Sequence, residues 1–335
     1  MRSAAVRATF TISLLILTAC GGGGGSDTVA TPVPPVPPPP PPPPPADPVP
    51  GQLSLVGSVG TNPGNLKMYA YVPTGLATNR PIVVILPGCG GKASQYDDDT
   101  GWTKWADQMH FALIIPEPSV DQPQGCFRYW ADDHTRRGAG EPQSIYEMVQ
   151  WLEVKYSSDP TRIFVTGLSA GGAMTNVMLA TYPDVFAAGA PIAGMPYKCA
   201  PDNNPGACTG GAITATPQAW GDKVRAANVW YNGPWPRVSI WVGTADTTVS
   251  PINEVETMKQ WTNVNGHDQT PDTTETVKGY PHEIYGRVET WEITGLPHSI
   301  AVDPGPGPEQ CGTSGFTDMD ICSSLYIARW FGLDH

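Results

Sequence analysis

The eight residues Val165-Thr166-Gly167-Leu168-Ser169-Ala170-Gly171-Gly172 constrain the fold more than any other stretch of this chain. A β-rich run, Arg162-Ile163-Phe164-Val165, leads into them, and a helical run over 173–182 leads away. Strand, Gly-x-Ser-x-Gly, helix is the context in which a serine is lifted above a sheet edge on a tight turn. Gly167 and Gly171 suit such a turn because they lack a Cβ. The hydroxyl then sits beside a helix N-terminus, which favours negative charge. A glycine-rich β–α turn that only packs would look the same locally, so the rest of the chain must separate the two.

The flanking pattern is that of an alternating α/β protein. Ile82-Val83-Val84-Ile85-Leu86 is a continuous apolar run of the kind buried on both faces of a parallel sheet. It ends in Pro87-Gly88-Cys89-Gly90-Gly91. Further strands are expected over 111–116, 185–194, 237–243, 282–285 and 289–293. Two more, at the start of the body between residues 52 and 72, meet at a turn over 60–64. Helices are expected over 103–110, 143–156, 219–231, 251–264 and 320–331. In the second of these, Ile145, Met148, Val149, Leu152 and Tyr156 share one face. Segments 121–140 and 196–217 read as irregular. Trp102, Trp130 and Trp235 fall in expected loops; core packing is the common fate of tryptophan, and none is assigned to a substrate.

An activated serine needs a base, and the base needs an orienting acid. Where the serine sits on such a turn, chain order runs Ser, Asp or Glu, His. Asp246 follows the buried strand 237–243, in Gly243-Thr244-Ala245-Asp246. His298 follows the last strand, in Gly295-Leu296-Pro297-His298. Both belong to the sheet edge that presents Ser169. The other histidines fit less well. His110 and His134 precede the serine, His267 lies in a polar loop, His282 begins a strand and His335 is terminal. Donors for an oxyanion are expected from the backbone N–H of Ala170, next to the nucleophile, and of Cys89 in the loop after an earlier strand.

Six cysteines besides Cys20 invite three disulfides, with fifteen possible pairings. Cys199 with Cys208 and Cys311 with Cys322 are close in sequence and flanked by turn residues, which leaves Cys89 with Cys126. The last pair would stiffen the oxyanion loop. Neither a C-x-x-C pair nor a histidine spacing points to zinc, so no metal and no cofactor are expected.

The N-terminus is a separate matter. Arg2 and Arg7 precede an apolar run over 10–19, too short to span a bilayer and typical of a secretory signal. Leu17-Thr18-Ala19-Cys20 resembles the lipobox of bacterial lipoproteins, in which the cysteine is lipidated. Residues 1–19 are expected to be a signal peptide. Residues 20–50 then form a lipidated cysteine followed by a glycine- and proline-rich stalk with nine consecutive prolines. Its stretch 32–50 would extend roughly 60 Å as polyproline II, at about 3.1 Å per residue. The catalytic body spans 51–335. A formal charge of −12 with no basic cluster excludes nucleic acid as a partner and leaves the lipid anchor as the only expected membrane contact.

These residues resemble the secreted poly(3-hydroxybutyrate) depolymerases and their relatives among feruloyl and acetylxylan esterases. The resemblance covers nearly all of the body. It is carried by Cys126-Phe127 with Arg136-Arg137-Gly138-Ala139-Gly140-Glu141-Pro142, by the run 165–199, by Pro236-Arg237-Val238-Ser239-Ile240-Trp241 through the GTADTTV block, and by Cys311-Gly312 with Ile321-Cys322-Ser323-Ser324. It implies an α/β-hydrolase fold, a mostly parallel sheet with helices on both faces. It also implies a metal-free Ser169–His298–Asp246 triad acting on an ester polymer or oligomer. Pro87 and Val242 stand where the family has histidine, and Pro297 where it has glycine; Pro87 and Pro297 are expected to reshape their loops. A C-terminal polymer-binding module of the kind many of the depolymerases carry is not expected. The substrate expected is a polyester of the 3-hydroxyalkanoate type. Feruloyl or acetyl esters of plant polysaccharide are the alternative, and an anchored binding protein without activity is a third reading.

Overall fold

The computed structural model describes residues 44–119, 122–200 and 204–335. The expected signal peptide, Cys20 and the stalk up to residue 43 lie outside them. Contacts with the body begin before residue 51. Ala46 N–H donates to the Val56 carbonyl at 2.9 Å, and Asp47 pairs with Lys155.

Chain order runs β1 (Ser54–Gly57), β2 (Leu66–Tyr71), β3 (Ile82–Leu86), α1 (Ala93–Tyr96), α2 (Trp102–Met109), β4 (Ala112–Pro118), α3 (Gly140–Tyr156), β5 (Ile163–Leu168) and α4 (Ala170–Thr181). It continues with β6 (Ala188–Ile192), α5 (Pro205–Thr209), α6 (Pro217–Ala227), β7 (Arg237–Gly243), α7 (Ile252–Asn265), β8 (Thr273–Val277), β9 (Tyr280–Tyr285) and β10 (Val288–Ile293). A small parallel pair, β11 (Ala301–Val302) and β12 (Thr317–Asp318), and the helix α8 (Ser323–Phe331) close the chain.

Ten strands form one sheet in the order β1-β2-β4-β3-β5-β6-β7-β10-β9-β8. The run from β4 to β10 is parallel, and antiparallel strands extend it at both ends. The alternation of apolar strands with helices predicts an α/β sheet covered on both faces, and the architecture is the α/β-hydrolase fold that the family resemblance implies.

The continuous apolar strands are explained by two cores, one on each face. Ile82, Val84 and Leu86 of β3 join α3, α4, α6 and α7 on one side. Val83 and Ile85 face α2 and α8 on the other. Period-two alternation with no polar phase is what burial on both faces requires. Such central strands place the carboxyl ends of β5, β7 and β10 on one edge, where loops can carry function.

Several boundaries differ from expectation. Trp102 is not in a loop; it opens α2 and is buried. α4 begins at Ala170, three residues early, because close packing suits Gly171 and Gly172 despite their poor helix propensity. Strand β8 was not expected at all. Four of its five residues are exposed, so no apolar alternation marks it. Segment 196–217 is not wholly irregular, since Asn204 caps the short α5 through its side chain.

Candidate active site

Ser169 stands between β5 and α4 with φ 58° and ψ −119°, a backbone conformation that non-glycine residues rarely adopt. The turn is fixed by its surroundings. Ser169 N–H donates to the Ile192 carbonyl at 2.9 Å, and Ala173 N–H donates back to the Ser169 carbonyl at 2.9 Å. A Cβ on Gly171 would lie 1.9 Å from the Leu86 carbonyl oxygen, and one on Gly167 would lie 2.6 Å from the same atom. Glycine is therefore required at both ends of the turn by close approach to β3.

Asp246 and His298 reach the same edge because β7 and β10 are parallel neighbours. Their loops are laced together. Thr244 N–H donates to the Ile293 carbonyl at 3.1 Å, Ala245 N–H to the Leu296 carbonyl at 3.1 Å, and Gly295 N–H to Thr244 Oγ1 at 2.9 Å. Asp246 Oδ1 accepts the N–H groups of Thr248 and Val249 at 2.8 and 2.9 Å, which turns Oδ2 toward the histidine. His298 Nδ1 meets Oδ2 at 2.7 Å. Burial alone would raise the Asp246 carboxyl. Hydrogen bonds from His298, Val249 and Thr248 outweigh it and hold the group below the ordinary carboxylate value.

His298 Nε2 and Ser169 Oγ make no hydrogen bond among the described residues, and both residues line one cavity of about 510 Å³. Its apolar wall comes from Tyr129, Trp130, Leu168, Met195 and Val249. Cys89 and Ala170 also line it, and neither backbone N–H has a partner among the described residues. Two unspent N–H groups beside a serine can receive a developing oxyanion.

The walls are tied from outside. Disulfide Cys89–Cys126 joins the 87–91 loop to the segment carrying Tyr129 and Trp130, and Gly90 N–H donates to the Gly125 carbonyl at 3.1 Å. Buried Glu141 holds that segment from behind by accepting Arg128 N–H at 2.8 Å, with His134 Nδ1 3.3 Å away. On the opposite side Cys199–Cys208 and α5 present Pro205, Gly206 and Thr209 to the cavity. Ser250 N–H fastens Thr209 to the loop after Asp246, at 2.8 Å. The third disulfide, Cys311–Cys322, lies away from the cavity. All three pairings are those expected, two from sequence proximity and Cys89–Cys126 as the pair left over, and three disulfides befit an exported protein.

Pro87 is buried and Pro297 exposed, and both loops still converge on the serine's cavity. Trp130 lines the cavity; Trp235 instead packs on Tyr231 in the loop before β7. Tyr96, Met195 and Thr209 are cavity residues that the sequence did not single out. Elsewhere, carboxylate oxygens of Asp303, Asp318 and Asp320 lie within 4.8 Å of one another. Asp318 and Asp320 are exposed and Asp303 accepts from Gln310, so this is a surface cluster with no link to the cavity. No helix among the described residues is long and apolar enough to cross a membrane.

Comparison with known proteins places the chain in a family. Residues 66–205 match the family described as Esterase PHB depolymerase. The chain is 46% identical over 291 residues to poly(3-hydroxyalkanoate) depolymerase C of Paucimonas lemoignei, covering 84% of this chain and 70% of that protein. It is 38% identical over 330 residues to feruloyl esterase B of Talaromyces stipitatus, covering 83% and 92% respectively. Among solved structures, the acetyl xylan esterase from Aspergillus awamori superposes with a TM-score of 0.72 at 33% identity, over 84% of this chain and all of that one. A fold shared with an acetyl xylan esterase, a serine on a strained turn, and relatives named as esterases and depolymerases lead to one conclusion: the chain is a carboxylic ester hydrolase of the Esterase PHB depolymerase family.

Proposed function

We propose that Ser169, His298 and Asp246 are the catalytic triad of a serine esterase acting on polyesters or oligoesters of the 3-hydroxyalkanoate type. Ser169 Oγ attacks the ester carbonyl, and His298 Nε2 takes its proton and returns it to the leaving alcohol. Asp246 holds the imidazole by Nδ1 and stabilises the imidazolium. The N–H groups of Ala170 and Cys89 receive the oxyanion. Water then releases the acyl group from Ser169 by the same steps in reverse. The observation that carries the reading is the cavity itself, which gathers the strained serine, the Asp246-bound histidine and two unspent N–H groups.

The polyester reading draws on the relative named as a poly(3-hydroxyalkanoate) depolymerase. A second reading, acetyl or feruloyl esters of plant polysaccharide, is favoured by the full-length superposition on an acetyl xylan esterase. Assaying the enzyme on polyhydroxybutyrate film and on feruloylated or acetylated arabinoxylan separates them. Faster release of soluble product from the film is the expected outcome; release from arabinoxylan alone assigns the second reading. Ser169→Ala is expected to fold normally and to lose p-nitrophenyl ester hydrolysis by several orders of magnitude. Wild-type turnover in that variant rules out the nucleophile.

We also infer that Cys20 carries a lipid and that the proline-rich stalk holds the body off a membrane. Cys20→Ser should move the protein from the membrane fraction to the soluble fraction. Retention in the membrane fraction would falsify the anchor.

A further inference from the structure

The loop after β3 is short of hydrogen-bond donors. Pro87 has no N–H. Gly90 N–H is spent on the Gly125 carbonyl and Gly91 N–H on the Gly88 carbonyl. Gly88 N–H points at a side chain, donating to Tyr96 Oη at 2.8 Å. Only the Cys89 N–H is left.

Tyr96 is unusual among the residues around this loop. It ends the one-turn helix α1, which is pinned to β4 by Ala93 N–H donating to Glu117 Oε2 at 3.0 Å. Its ring is buried edge-on against Phe316, with centroids 5.3 Å apart. Its hydroxyl accepts from Gly88, yet the hydroxyl's own hydrogen has no acceptor among the described residues. The residue lines the same cavity as Ser169, Ala170 and His298. A Cβ placed on Gly88 would lie 3.2 Å from Tyr96 Oη and 3.5 Å from Ser169 Cβ, so phenol and serine flank the same small space.

Resting on the Ser169 reading above, we propose that the Tyr96 hydroxyl is a third hydrogen-bond donor to the oxyanion. It passes on, through its own O–H, the polarity of the Gly88 N–H that it accepts. A hydroxyl that accepts one hydrogen bond is a stronger donor of the next. Burial pushes the phenol up to about 12, against the opposing pull of the Gly88 N–H, so it keeps its proton throughout the working range of an esterase. No bond is made or broken at Tyr96.

Two roles must be separated. As a donor, Tyr96 needs its proton. As a prop for the loop, it needs only its oxygen, because a phenolate accepts from Gly88 N–H at least as well as a phenol does. Tyr96→Phe keeps the ring packing and deletes both roles. It is expected to lower kcat roughly 100-fold, with KM little changed, as for loss of one oxyanion donor. Affinity for a boronic-acid inhibitor, which forms a tetrahedral adduct on the serine, should fall with kcat. Tyr96→3,5-difluorotyrosine keeps the ring and the oxygen but ionises at lower pH. Its kcat/KM is expected to collapse on the basic side at a lower pH than wild type.

Wild-type kcat in Tyr96→Phe overturns the proposal. So does a fluorinated variant with the basic limb of the wild type, which would leave Tyr96 as a prop alone. If Tyr96→Phe does not fold, the fluorinated variant decides by itself. Ser169→Ala, assayed alongside, keeps the two levels apart. Activity there removes the nucleophile and this inference together, whereas an inactive Ser169→Ala beside a fully active Tyr96→Phe removes the tyrosine only.

Discussion

Among the described residues two histidines, His298 and His282, are hydrogen-bonded to carboxylates, and only one of them keeps a nitrogen free. His298, in the loop after β10, has one carboxylate on Nδ1 at 2.7 Å, and its other nitrogen is unspent beside Ser169's cavity. His282, in β9, has Glu275 on Nδ1 and Glu289 on Nε2, each at 2.9 Å. Its ring stacks on Trp291 at 4.0 Å, and Trp291 stacks in turn on Trp241 at 4.6 Å. Glu289 is further bound by Ser239 Oγ at 2.5 Å and Trp291 Nε1 at 3.0 Å. A buried histidine with both nitrogens engaged and its ring stacked on a tryptophan has nothing to offer a substrate. The lesson is that a His–carboxylate contact identifies a site only when one nitrogen is left over and opens on a cavity.

The contrast is broken most directly by exchanging the outcomes of two substitutions. His298→Ala should reduce kcat/KM by roughly 10⁴-fold or more while leaving the melting temperature near that of wild type. Asp246→Asn should cost about 10⁴-fold in kcat, since the amide still accepts from Thr248 and Val249 but can present the wrong group to Nδ1. His282→Phe should leave kcat of the folded protein unchanged. Ester hydrolysis and thermal unfolding measured on all three variants decide the matter. Equal loss of activity in His282→Phe would mean that the two pairs do not differ as described.

Crosslinks repeat the contrast at smaller scale. Cys89–Cys126 closes a separation of 37 residues and holds a proposed oxyanion donor; Cys311–Cys322 closes 11 residues away from the cavity. Chain entropy gives about 4 and about 3 kcal/mol for them, close enough that stability should fall similarly when either pair is replaced by alanine. Activity should not. Loss of the first pair is expected to lower kcat about tenfold or more, because small misplacement of a catalytic group is costly, and loss of the second to leave kcat intact. Parallel unfolding and rate measurements on the two double variants test this, and an equal kcat in both would remove the oxyanion role from the Cys89 loop.

What the sequence could disclose follows from the range of the interactions. The strained turn at Ser169 is local, so its glycines announce it. Asp246 and His298 are legible because chain order in this architecture is fixed, and parallel neighbours β7 and β10 end together. Two cysteine pairs were legible by proximity and the third, Cys89–Cys126, as the remainder. Tyr96 was not, because its contact with Gly88 is made by the placement of α1 against β4 rather than by any motif. Met195 and Thr209 reach the cavity through β6 and the disulfide-closed segment, and nothing in their neighbours marks them. The setting of His282 was hidden for a different reason. Glu275 sits opposite it on β8, a polar edge strand with no apolar signal, and Trp291 opposite it on β10. Cross-strand pairs of this kind appear only once the register is known.

Substituting His282 tests the structural half of the contrast. Phenylalanine fills the stack between β9 and Trp291 but leaves Glu289, which is 3% exposed, without its counter-charge. Removing one partner of a buried ion pair costs roughly 3–5 kcal/mol, and the lower end is expected because Ser239 and Trp291 still donate to Glu289. Urea unfolding reads this loss directly. Adding Glu289→Gln to His282→Phe should recover part of it, since the uncompensated charge is gone. If the double variant is no more stable than the single one, the charge is not what His282 serves.

The smallest effect is the most specific. Burial works against the imidazolium of His282, but Glu289 and Glu275 outweigh it, so the pKa is raised above the ordinary histidine value. A group whose pKa is raised by folding stabilises the native state fully below its unfolded pKa, about 6.5, and loses that contribution as pH rises through the folded value. Stability should therefore decline as pH rises from about 6.5 through the folded value, by less than the full loss in His282→Phe, because the neutral ring keeps one N–H to donate to a carboxylate. Asp246 has the opposite sign. Its carboxyl is depressed, so its contribution is present above the ordinary carboxylate range and is lost as pH falls through the folded value. Urea midpoints measured across pH should thus fall at both ends for separate reasons. His282→Phe should flatten only the alkaline slope and Asp246→Asn only the acid one. A single variant that flattened both slopes would show the two His–carboxylate pairs to be coupled, and the division between a reacting and a supporting histidine would not hold.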